Sequence, residues 1–312
     1  MKYSTRLNSY LGEGYSLEEC FESLTELEGL EYVDLNYPEH FKNHSIEDVK
    51  GLLEKNNLKL NAINLRFREH YINGDLGNQN SKIMEDAIKL SEEAVKACEL
   101  LDGSQIIFWL GHDGYDYSFQ LNYNKSWNQI VEILKNISSM TDKKVSIEYK
   151  PYEERSIALI DSFGTSMLLV NEVNKENFGV TMDYCHVLMK HESPAFVASM
   201  LLERGLLYNI HLNDGHGFFD DGLMVGTNTF WQTLETMYYL KKHNFDGVIY
   251  FDTFPKREKA IEETKFNLRM CRLLEKIIDN YGVENIQRNI EQNDAIAVNN
   301  MLIDMLEKNL ED

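Results

Sequence analysis

The sequence has few of the residues that mark disulfide-rich or membrane-spanning chains. It contains four cysteines, Cys20, Cys98, Cys185 and Cys271, and none of them forms a C-x-x-C pair, which disfavours a disulfide framework and a thiolate zinc site. No apolar run approaches the roughly 20 residues that cross a bilayer. The first residues also lack the apolar core of a signal peptide. We therefore expect a cytoplasmic protein.

Basic residues are scarce relative to acidic ones. Lys and Arg number 31 against 51 Asp and Glu, which gives a formal net charge of −20. A field of this sign repels nucleic-acid phosphates and anionic membranes, so we expect neither as a partner. A small-molecule substrate and a divalent cation are compatible with it.

Proline is scarce as well, with four residues in 312, and no low-complexity tract suggests a linker between domains. Short β-like runs alternate with longer amphipathic helical runs, for example "SIEDVKGLLEKNN" with a capping box at its start. The predicted strands are Tyr3–Ser9, Tyr32–Leu35, Lys59–Leu65, Gln105–Trp109, Val145–Tyr149, Gly179–Met182, Leu207–Leu212 and Gly247–Phe251. Eight such units predict parallel strands in an α/β fold, the closed (β/α)8 TIM barrel, over residues 1–280.

Two further features bear on the architecture. An open doubly wound sheet is the alternative fold, but no G-x-G-x-x-G or G-x-x-x-x-G-K-[ST] loop follows any predicted strand. Residues 281–312 are acidic and helical in pattern. They predict a C-terminal helical extension, an arm for packing or oligomerisation.

The last four predicted strands end in potential metal ligands. "SIEYK", "GVTMDYCH", "YNIHLND" and "VIYFDTFP" deliver Glu148, Asp183, His211 and Asp252 to the rim where barrel function resides. Three carboxylates crowded together repel one another unless a cation binds, and this donor set suits Mg²⁺, Mn²⁺ or Co²⁺. Taken singly, Asp252 is as readily a helix cap and His211 a core histidine; together the four residues predict a metal site.

A second acidic group follows the first along the chain. His186 lies three residues after Asp183, and the loop after His211 carries more acidic and imidazole side chains: Asp214, His216, Asp220 and Asp221. A second cation held by His186 and one or more of these aspartates would make a two-metal site. The alternative is an acidic surface loop.

These motifs resemble those of the xylose isomerase-like family of metal-dependent sugar isomerases, and some features are similar to rhamnose isomerases. The resemblance runs from about Leu100 to Lys276 through "IIFWLGHDGYDY", "IEYKP", "MDYCH", "IHLNDGHGFFDDGLMVG", "YFDTFPKRE" and "KFNLRMCRLLEK", in the family's order. The first three strands match only in kind. The resemblance implies a homo-oligomer, a dimer or a tetramer, that acts on a sugar.

The resemblance also implies roles for individual residues. Glu148, Asp183, His211 and Asp252 would hold the structural metal, while His186 and Asp220 would hold a catalytic metal. Lys150 would hydrogen-bond the carbonyl oxygen at C1 and, with His186 and Asp220, form the catalytic set. The substrate-binding residues would be Trp109, His112, Phe67 and Asn36, with Trp109 shielding the reacting carbons from water.

Two departures from the family pattern stand out. The family's D-x-D pair for the second metal reads Asp220-Asp221-Gly222, so one carboxylate is missing unless Asp221 serves, and a single-metal mechanism is an alternative. The family's ring-opening histidine is replaced by Asn36, with His40 and His112 as other candidates. The substrate would then use another group for ring opening or enter as the open chain.

The leading functional hypothesis is an aldose–ketose isomerase that uses a metal-assisted 1,2-hydride shift with Lys150 stabilising O1. The alternative on the same fold is a ketose 3-epimerase acting through an enediolate, which would favour Glu where Asp252 stands and would not need Lys150. An abasic-site endonuclease would need three metals and a basic surface. A sugar-binding protein without activity would bind its ligand regardless of metal.

Two residue sets bear on the substrate. Arg6, Arg66 and Arg68 lie near the ends of the first and third predicted strands, where they would meet an acidic or phosphorylated group or serve as ordinary loop charges. Tyr115, Tyr117, Phe119 and Tyr123 suggest an aromatic lid, or a loop packed against a neighbouring subunit.

Overall fold

Eight parallel strands form a nearly closed barrel in the computed structural model, which describes residues 1–310. The barrel strands are β1 (Lys2–Thr5), β2 (Tyr32–Tyr37), β3 (Lys59–Arg66), β4 (Gln105–Trp109), β6 (Lys144–Glu148), β8 (Phe178–Asp183), β9 (Leu207–Leu212) and β10 (Val248–Phe251). Their spatial order is β1-β10-β9-β8-β6-β4-β3-β2, and an isolated bridge from Tyr3 to Leu30 links the two ends. The predicted barrel is confirmed.

Helices connect the strands and cover the outside of the barrel. They are α1 (Leu7–Gly12), α2 (Leu17–Leu24), α3 (Ile46–Lys55), α4 (Ser81–Leu100), α5 (Tyr123–Ser139), α6 (Phe163–Val173), α7 (Tyr184–Met189), α8 (Pro194–Glu203), α9 (Phe230–Lys242) and α10 (Ala260–Tyr281), with 3₁₀ turns at Glu39–Phe41 and Glu69–Tyr71. The predicted capping box at the start of α3 is present, with Ser45 and Asp48 exchanging hydrogen bonds. None of the helices in residues 1–310 has both the length and the apolar character needed to cross a membrane.

The first strand is shorter than the sequence predicts. The pattern predicts an extended Tyr3–Ser9, but β1 ends at Thr5 and α1 begins at Leu7. Leu7 and Tyr10, three residues apart, both point into the core at 1% exposure. Over so short a segment, the sequence patterns of a helix and a strand are hard to distinguish. The packing of both Leu7 and Tyr10 into the core favours the helix.

A small antiparallel sheet joins two loops at the mouth of the barrel. β5 (Gly114–Tyr115) follows β4 and pairs with β7 (Ile157–Ala158), which follows β6. The close approach requires glycine, because a Cβ on Gly114 would lie 2.3 Å from the Ile157 carbonyl oxygen. The pairing ties together the loops that follow Trp109 and Glu148.

The C-terminal segment folds back on the barrel. α11 (Val283–Glu291) and α12 (Ala295–Leu310) follow α10 directly, and Ile286, Met301 and Met305 are buried in the main hydrophobic cluster. The predicted helical arm is therefore present, although the last two residues of its range, 311 and 312, lie outside the described residues. A role for the arm in oligomerisation stays a prediction.

A buried histidine fixes the exit of β2. Nδ1 of His40 accepts a hydrogen bond from the Asn36 backbone N–H at 3.1 Å, and Nε2 lies 2.8 Å from Oδ1 of Asn8. The same Asn8 oxygen accepts the side-chain amide of Asn36 at 2.8 Å. Burial lowers the pKa of His40 to about 4, so the neutral ring serves as a structural clamp that positions Asn36.

This clamp predicts a loss of stability in acid. Because the folded-state pKa of His40 lies below the ordinary value, the unfolded chain binds the extra proton first, and stability falls as the pH drops from about 6.5 towards 4. Relative to a His40→Gln variant, the wild type should lose up to about 1.4 kcal/mol per pH unit in this window. Urea unfolding at several pH values measures the difference. His216→Gln, at an exposed loop position, is the control, and parallel pH profiles for wild type and His40→Gln would contradict the prediction.

Candidate metal centre and active site

Four side chains from adjacent strands converge at the carboxyl end of the barrel. Glu148 ends β6, Asp183 ends β8, His211 lies in β9, and Asp252 follows β10. One ligand atom of each lies within 4.8 Å of the others, and all four side chains are buried. Parallel pairing places Asp183 directly beside His211, which brings the strand ends to one rim. The structure thus brings together the four residues predicted as a metal site, which we call the quartet.

Several polar atoms in this quartet lack hydrogen-bond partners. Among residues 1–310, neither ring nitrogen of His211 nor Oδ1 of Asp252 has a hydrogen-bond partner, although all three atoms are buried. His211 Nδ1 lies 3.3 Å from Glu148 Oε1, which is an ion-pair contact when the ring is protonated. Buried donors and acceptors are rarely left unsatisfied. A divalent cation coordinated by the three carboxylates and the imidazole would satisfy them, so the residues fit a metal.

The charges of the quartet are strongly coupled. Burial raises the pKa of Asp183 to about 7, and the neighbouring carboxylates Asp220, Glu148 and Asp252 add to this effect while His186 opposes it. Burial also acts on Glu148, but the adjacent His211 and His186 outweigh it and lower the pKa of Glu148 to about 2. Burial lowers the pKa of His211, but Glu148, Asp252 and Asp183 together outweigh burial and raise that pKa to about 9. The raised pKa of Asp183 is therefore the effect expected when three carboxylates lie close together.

A second potential ligand group consists of Asp183, His186 and Asp220. His186 lies in α7 with Nδ1 2.9 Å from the Tyr149 carbonyl oxygen and Nε2 3.3 Å from Oδ2 of Asp220. Burial opposes protonation of His186, but Asp183 and Asp220 outweigh it and raise the pKa to about 9. These three predicted site residues therefore lie together beside the quartet, and Asp183 belongs to both groups.

Lys150 reaches this second group from the loop after β6. Its Nζ donates to Oδ2 of Asp220 at 3.1 Å and lies 2.8 Å from Oε1 of Glu153. The side chain is 12% exposed. Desolvation would lower the pKa of Lys150, but Asp220 and Glu153 outweigh it and raise the pKa, so the ammonium stays charged.

The other acidic residues of the loop after β9 hold the loop itself together. The carboxylate of Asp214 accepts hydrogen bonds from the backbone N–H groups of Asn228 and Thr229 at 2.7 and 2.9 Å. Asp221 accepts the backbone N–H of His216 at 2.7 Å, and the His216 side chain is exposed. Asp214, His216 and Asp221 therefore lie outside the Asp183–His186–Asp220 group in this conformation.

Gly222 stands where the family pattern has a carboxylate. Its φ of +57° is a left-handed conformation, and an added Cβ would lie 2.4 Å from the Phe254 ring. Its carbonyl oxygen accepts the Phe254 backbone N–H at 2.8 Å, which joins the loops after β9 and β10. An aspartate would fit at this position only if Phe254 moved.

Trp109, a predicted substrate-binding residue, lies between the centre and a cleft. The charged groups of Lys150 and Arg66 lie over its ring, 5.4 and 5.3 Å from the ring centroid. Trp109, His112 and Glu153 line a cleft of about 800 Å³, and Trp109 and Glu153 also line a much smaller cavity, of about 10 Å³, together with Glu148 and Lys150. The cleft volume lies within the range of about 300–1,000 Å³ typical of small-molecule sites.

The remaining predicted substrate residues are placed differently. His112 is half-buried, and burial lowers its pKa. Phe67 is 1% exposed and packs edge-on against Tyr71, with ring centroids 5.1 Å apart, inside the hydrophobic cluster. Asn36 is buried, and its amide hydrogen bonds to Asn8. Of the four substrate residues, Trp109 and His112 are the ones that line the cleft.

The arginines and aromatic residues noted in the sequence occupy the same end of the barrel. Arg6 Nε lies 3.2 Å from Oδ1 of Asp252, Arg66 lies over Trp109, and Arg68 pairs with Glu39. In the candidate lid, Tyr115 packs near Tyr123, with ring centroids 5.1 Å apart, whereas Tyr117 and Phe119 are largely exposed.

Sequence reasoning missed two residues that shape the site. Asn213 donates from its amide to Asp183 at 3.3 Å and to the Asp252 carbonyl oxygen at 3.1 Å, and it accepts the Cys185 N–H at 2.8 Å. It therefore orients one predicted ligand and links three strand ends. Its position two residues after His211, in "HLND", was the available signal. Glu153, the second partner of Lys150, gave no such signal because it lies in an irregular loop.

A buried carboxylate lies deeper in the barrel. Asp34 of β2 accepts a hydrogen bond from the Ser4 hydroxyl at 2.6 Å and from the Asn61 amide at 3.0 Å. Burial raises its pKa to about 6 against the effect of these hydrogen bonds. The interior of the barrel is thus polar below the quartet.

Comparisons with known proteins agree with this architecture. The chain is 20% identical over 243 residues to the xylose isomerase of Thermus thermophilus, covering 75% of this chain and 63% of that protein. The chain spans less than two thirds of the length of the curated relatives it matches, 63% and 58%.

Two solved structures share the fold. A D-tagatose 3-epimerase-like protein superposes with a TM-score of 0.69 at 18% identity, covering 89% of this chain and all of that one. The IOLI protein, whose structure is described as having a binding zinc atom, superposes with a TM-score of 0.67 at 18% identity, covering 88% and 98%.

A family model described as a xylose isomerase-like TIM barrel matches residues 21–272. This match spans well over half of the 312 residues and includes every strand end that carries the quartet. The chain therefore belongs to the xylose isomerase-like TIM barrel family.

Proposed function

We propose that the protein is a divalent-metal-dependent sugar isomerase that interconverts an aldose and a ketose by a 1,2-hydride shift. The position of Lys150 carries this proposal. Its ammonium lies over Trp109 and beside Asp220, next to the buried quartet. An ammonium group has three N–H donors, so its contacts with Asp220 and Glu153 leave one donor for a substrate oxygen.

A divalent cation held by Glu148, Asp183, His211 and Asp252 would supply Lewis-acid polarisation of two adjacent sugar oxygens. The mixed set of carboxylate and imidazole donors suits Mn²⁺, Co²⁺ or Mg²⁺. Support for metal binding comes from the buried His211 nitrogens and Asp252 Oδ1, which make no hydrogen bond within residues 1–310, although His211 Nδ1 and Asp252 Oδ1 lie within ion-pair distance of Glu148 and Arg6.

Lys150 would stabilise the negative charge that develops on O1. Its two ion pairs hold the ammonium in place before the substrate arrives, so little reorganisation is needed during the reaction. Trp109 would form the wall that keeps water from the reacting carbons, and the β5–β7 sheet covers the same side of the mouth. The cleft beside Trp109 would admit the sugar.

Ketose 3-epimerisation is the alternative on this fold. It would require an acid and a base on opposite faces of C3, each near the metal. The eighth barrel strand supplies Asp252, which is shorter than a glutamate and faces Arg6 at 3.2 Å, and Lys150 would have no role. These features favour the isomerase.

Removal of metal should abolish activity. Protein stripped with a chelator should be inactive on a panel of aldoses and ketoses, and Mn²⁺, Co²⁺ or Mg²⁺ should restore turnover. At a cation concentration a hundred times Kd, binding should stabilise the fold by about 2.7 kcal/mol, or roughly 4 °C in Tm for a chain of 312 residues. Asp252→Asn should lose most of this thermal shift. Full activity of the stripped wild-type protein would refute the proposal.

Replacement of Lys150 by methionine should lower kcat by about 10²–10³-fold, the usual cost of losing one donor to a developing oxyanion. Stabilisation by metal at the quartet should remain. Lys55→Met, at an exposed lysine paired with Glu22, is the control and should leave kcat unchanged. A fully active Lys150→Met protein would remove the residue from the mechanism.

Reaction in deuterated water separates the two chemistries. A hydride shift should leave C1 and C2 of the product free of solvent deuterium, because the hydrogen moves directly between the carbons. Deuterium at C1 or C2 would indicate an enediolate, and deuterium at C3 of a ketose product would indicate epimerisation. Mass spectrometry and NMR of the product make the measurement.

A further inference from the structure

The second ligand group is poor in carboxylates for a site that binds a divalent cation. It offers Asp183, which the quartet also uses, together with His186 and Asp220. Asp221 is committed to the His216 backbone N–H, and Gly222 has no room for a side chain against Phe254. No carboxylate from this loop other than Asp220 belongs to the group within residues 1–310.

A cation from the protein already occupies the carboxylate of that group. Oδ2 of Asp220 accepts from Lys150 Nζ at 3.1 Å and also faces His186 Nε2 at 3.3 Å. Glu153 holds the ammonium from another side at 2.8 Å. Lys150 is largely buried, so its charge is weakly screened by solvent. A metal ion at Asp220 would have to displace this ammonium or lie beside it.

Charge balance points the same way. The carboxylates nearest the two ligand groups include those of Glu148, Asp183, Asp252, Asp220 and Glu153, and the permanent cations beside them include Lys150, Arg6 and Arg66. A second divalent cation at Asp220 would lie against the Lys150 ammonium in a buried site, where uncompensated like charge is costly.

We propose that Lys150 is the permanent cation of the Asp183–His186–Asp220 group and that the chain binds a single divalent cation, at the quartet. The inference rests on the proposed metal-dependent function. Lys150 thereby combines two roles, since the ammonium that neutralises Asp220 is also the donor aimed at the substrate.

Binding of Mn²⁺ to chelator-treated protein tests the inference without an activity assay. Equilibrium dialysis with elemental analysis gives the number of ions per chain, and electron paramagnetic resonance distinguishes a lone Mn²⁺ from a coupled pair. The wild type should bind one ion. Lys150→Met frees Asp220 and should bind two, the second with lower affinity and with a coupled spectrum.

Matched variants isolate the cause. Lys150→Arg keeps the positive charge and should bind one ion, as should Glu153→Gln, which leaves the ammonium on Asp220. The double variant Lys150→Met with Asp220→Asn should return to one ion, because the freed carboxylate is gone. Lys150→Gln should behave as Lys150→Met does and serves if the methionine variant folds poorly, with circular dichroism as the check on folding.

Two results would overturn the inference: two ions in the wild type, or one ion in a folded variant that lacks the Lys150 charge. Failure of the wild type to bind any ion would be a different result. It would refute the proposed metal-dependent function and, with it, the premise of the inference.

Discussion

Repulsion among buried carboxylates is the constraint on which the mouth of this barrel depends. Parallel pairing of adjacent strands forces Glu148, Asp183 and Asp252 to one rim, where water cannot screen them. Burial and the neighbouring carboxylates raise the pKa of Asp183 to about 7, as repulsion among carboxylates predicts. Arg6 and Lys150 offset part of this negative charge, and the proposed divalent ion would offset more of it.

The side chains around these carboxylates are held in place by specific hydrogen bonds. His186 is oriented by the Tyr149 carbonyl oxygen, and Asn213 connects Asp183 to the strand end that bears Asp252. The β5–β7 pairing bridges the loops that carry Trp109 and Lys150 towards the cleft. Rigid placement of this kind is what a site needs if its charges are to stabilise a transition state without reorganising.

The sequence predicted the strands, and the meeting of the four quartet side chains at one rim, because both follow local rules. Strand ends lie at the same rim of any (β/α)8 barrel, so a ligand at four successive ends implies convergence whatever the details of packing. The resemblance of the motifs added His186, Asp220 and Lys150, which the structure places together. Their catalytic roles stay predictions.

What the sequence did not predict depends on contacts between distant segments. The partner of β5 lies some forty residues away in an irregular loop, and the role of Glu153 depends on where that loop brings Lys150. Gly222 is a departure visible in the sequence, but its physical reason is Phe254, which follows a different strand. The end of β1 was misplaced because four residues of alternation fit helix and strand alike.

Gly222 and Lys150 bear on one another through Asp220. With a second carboxylate at position 222, Asp220 would belong to a site anionic enough to hold a metal ion against an ammonium. On the proposal above, the glycine at this position leaves Lys150 as the partner of Asp220. Lys150 is fixed to the chain, whereas a metal ion would be free to shift between substrate oxygens. An isomerase with this site would therefore stabilise O1 by a positioned hydrogen-bond donor and would depend on a single metal ion for the rest of the electrostatic stabilisation.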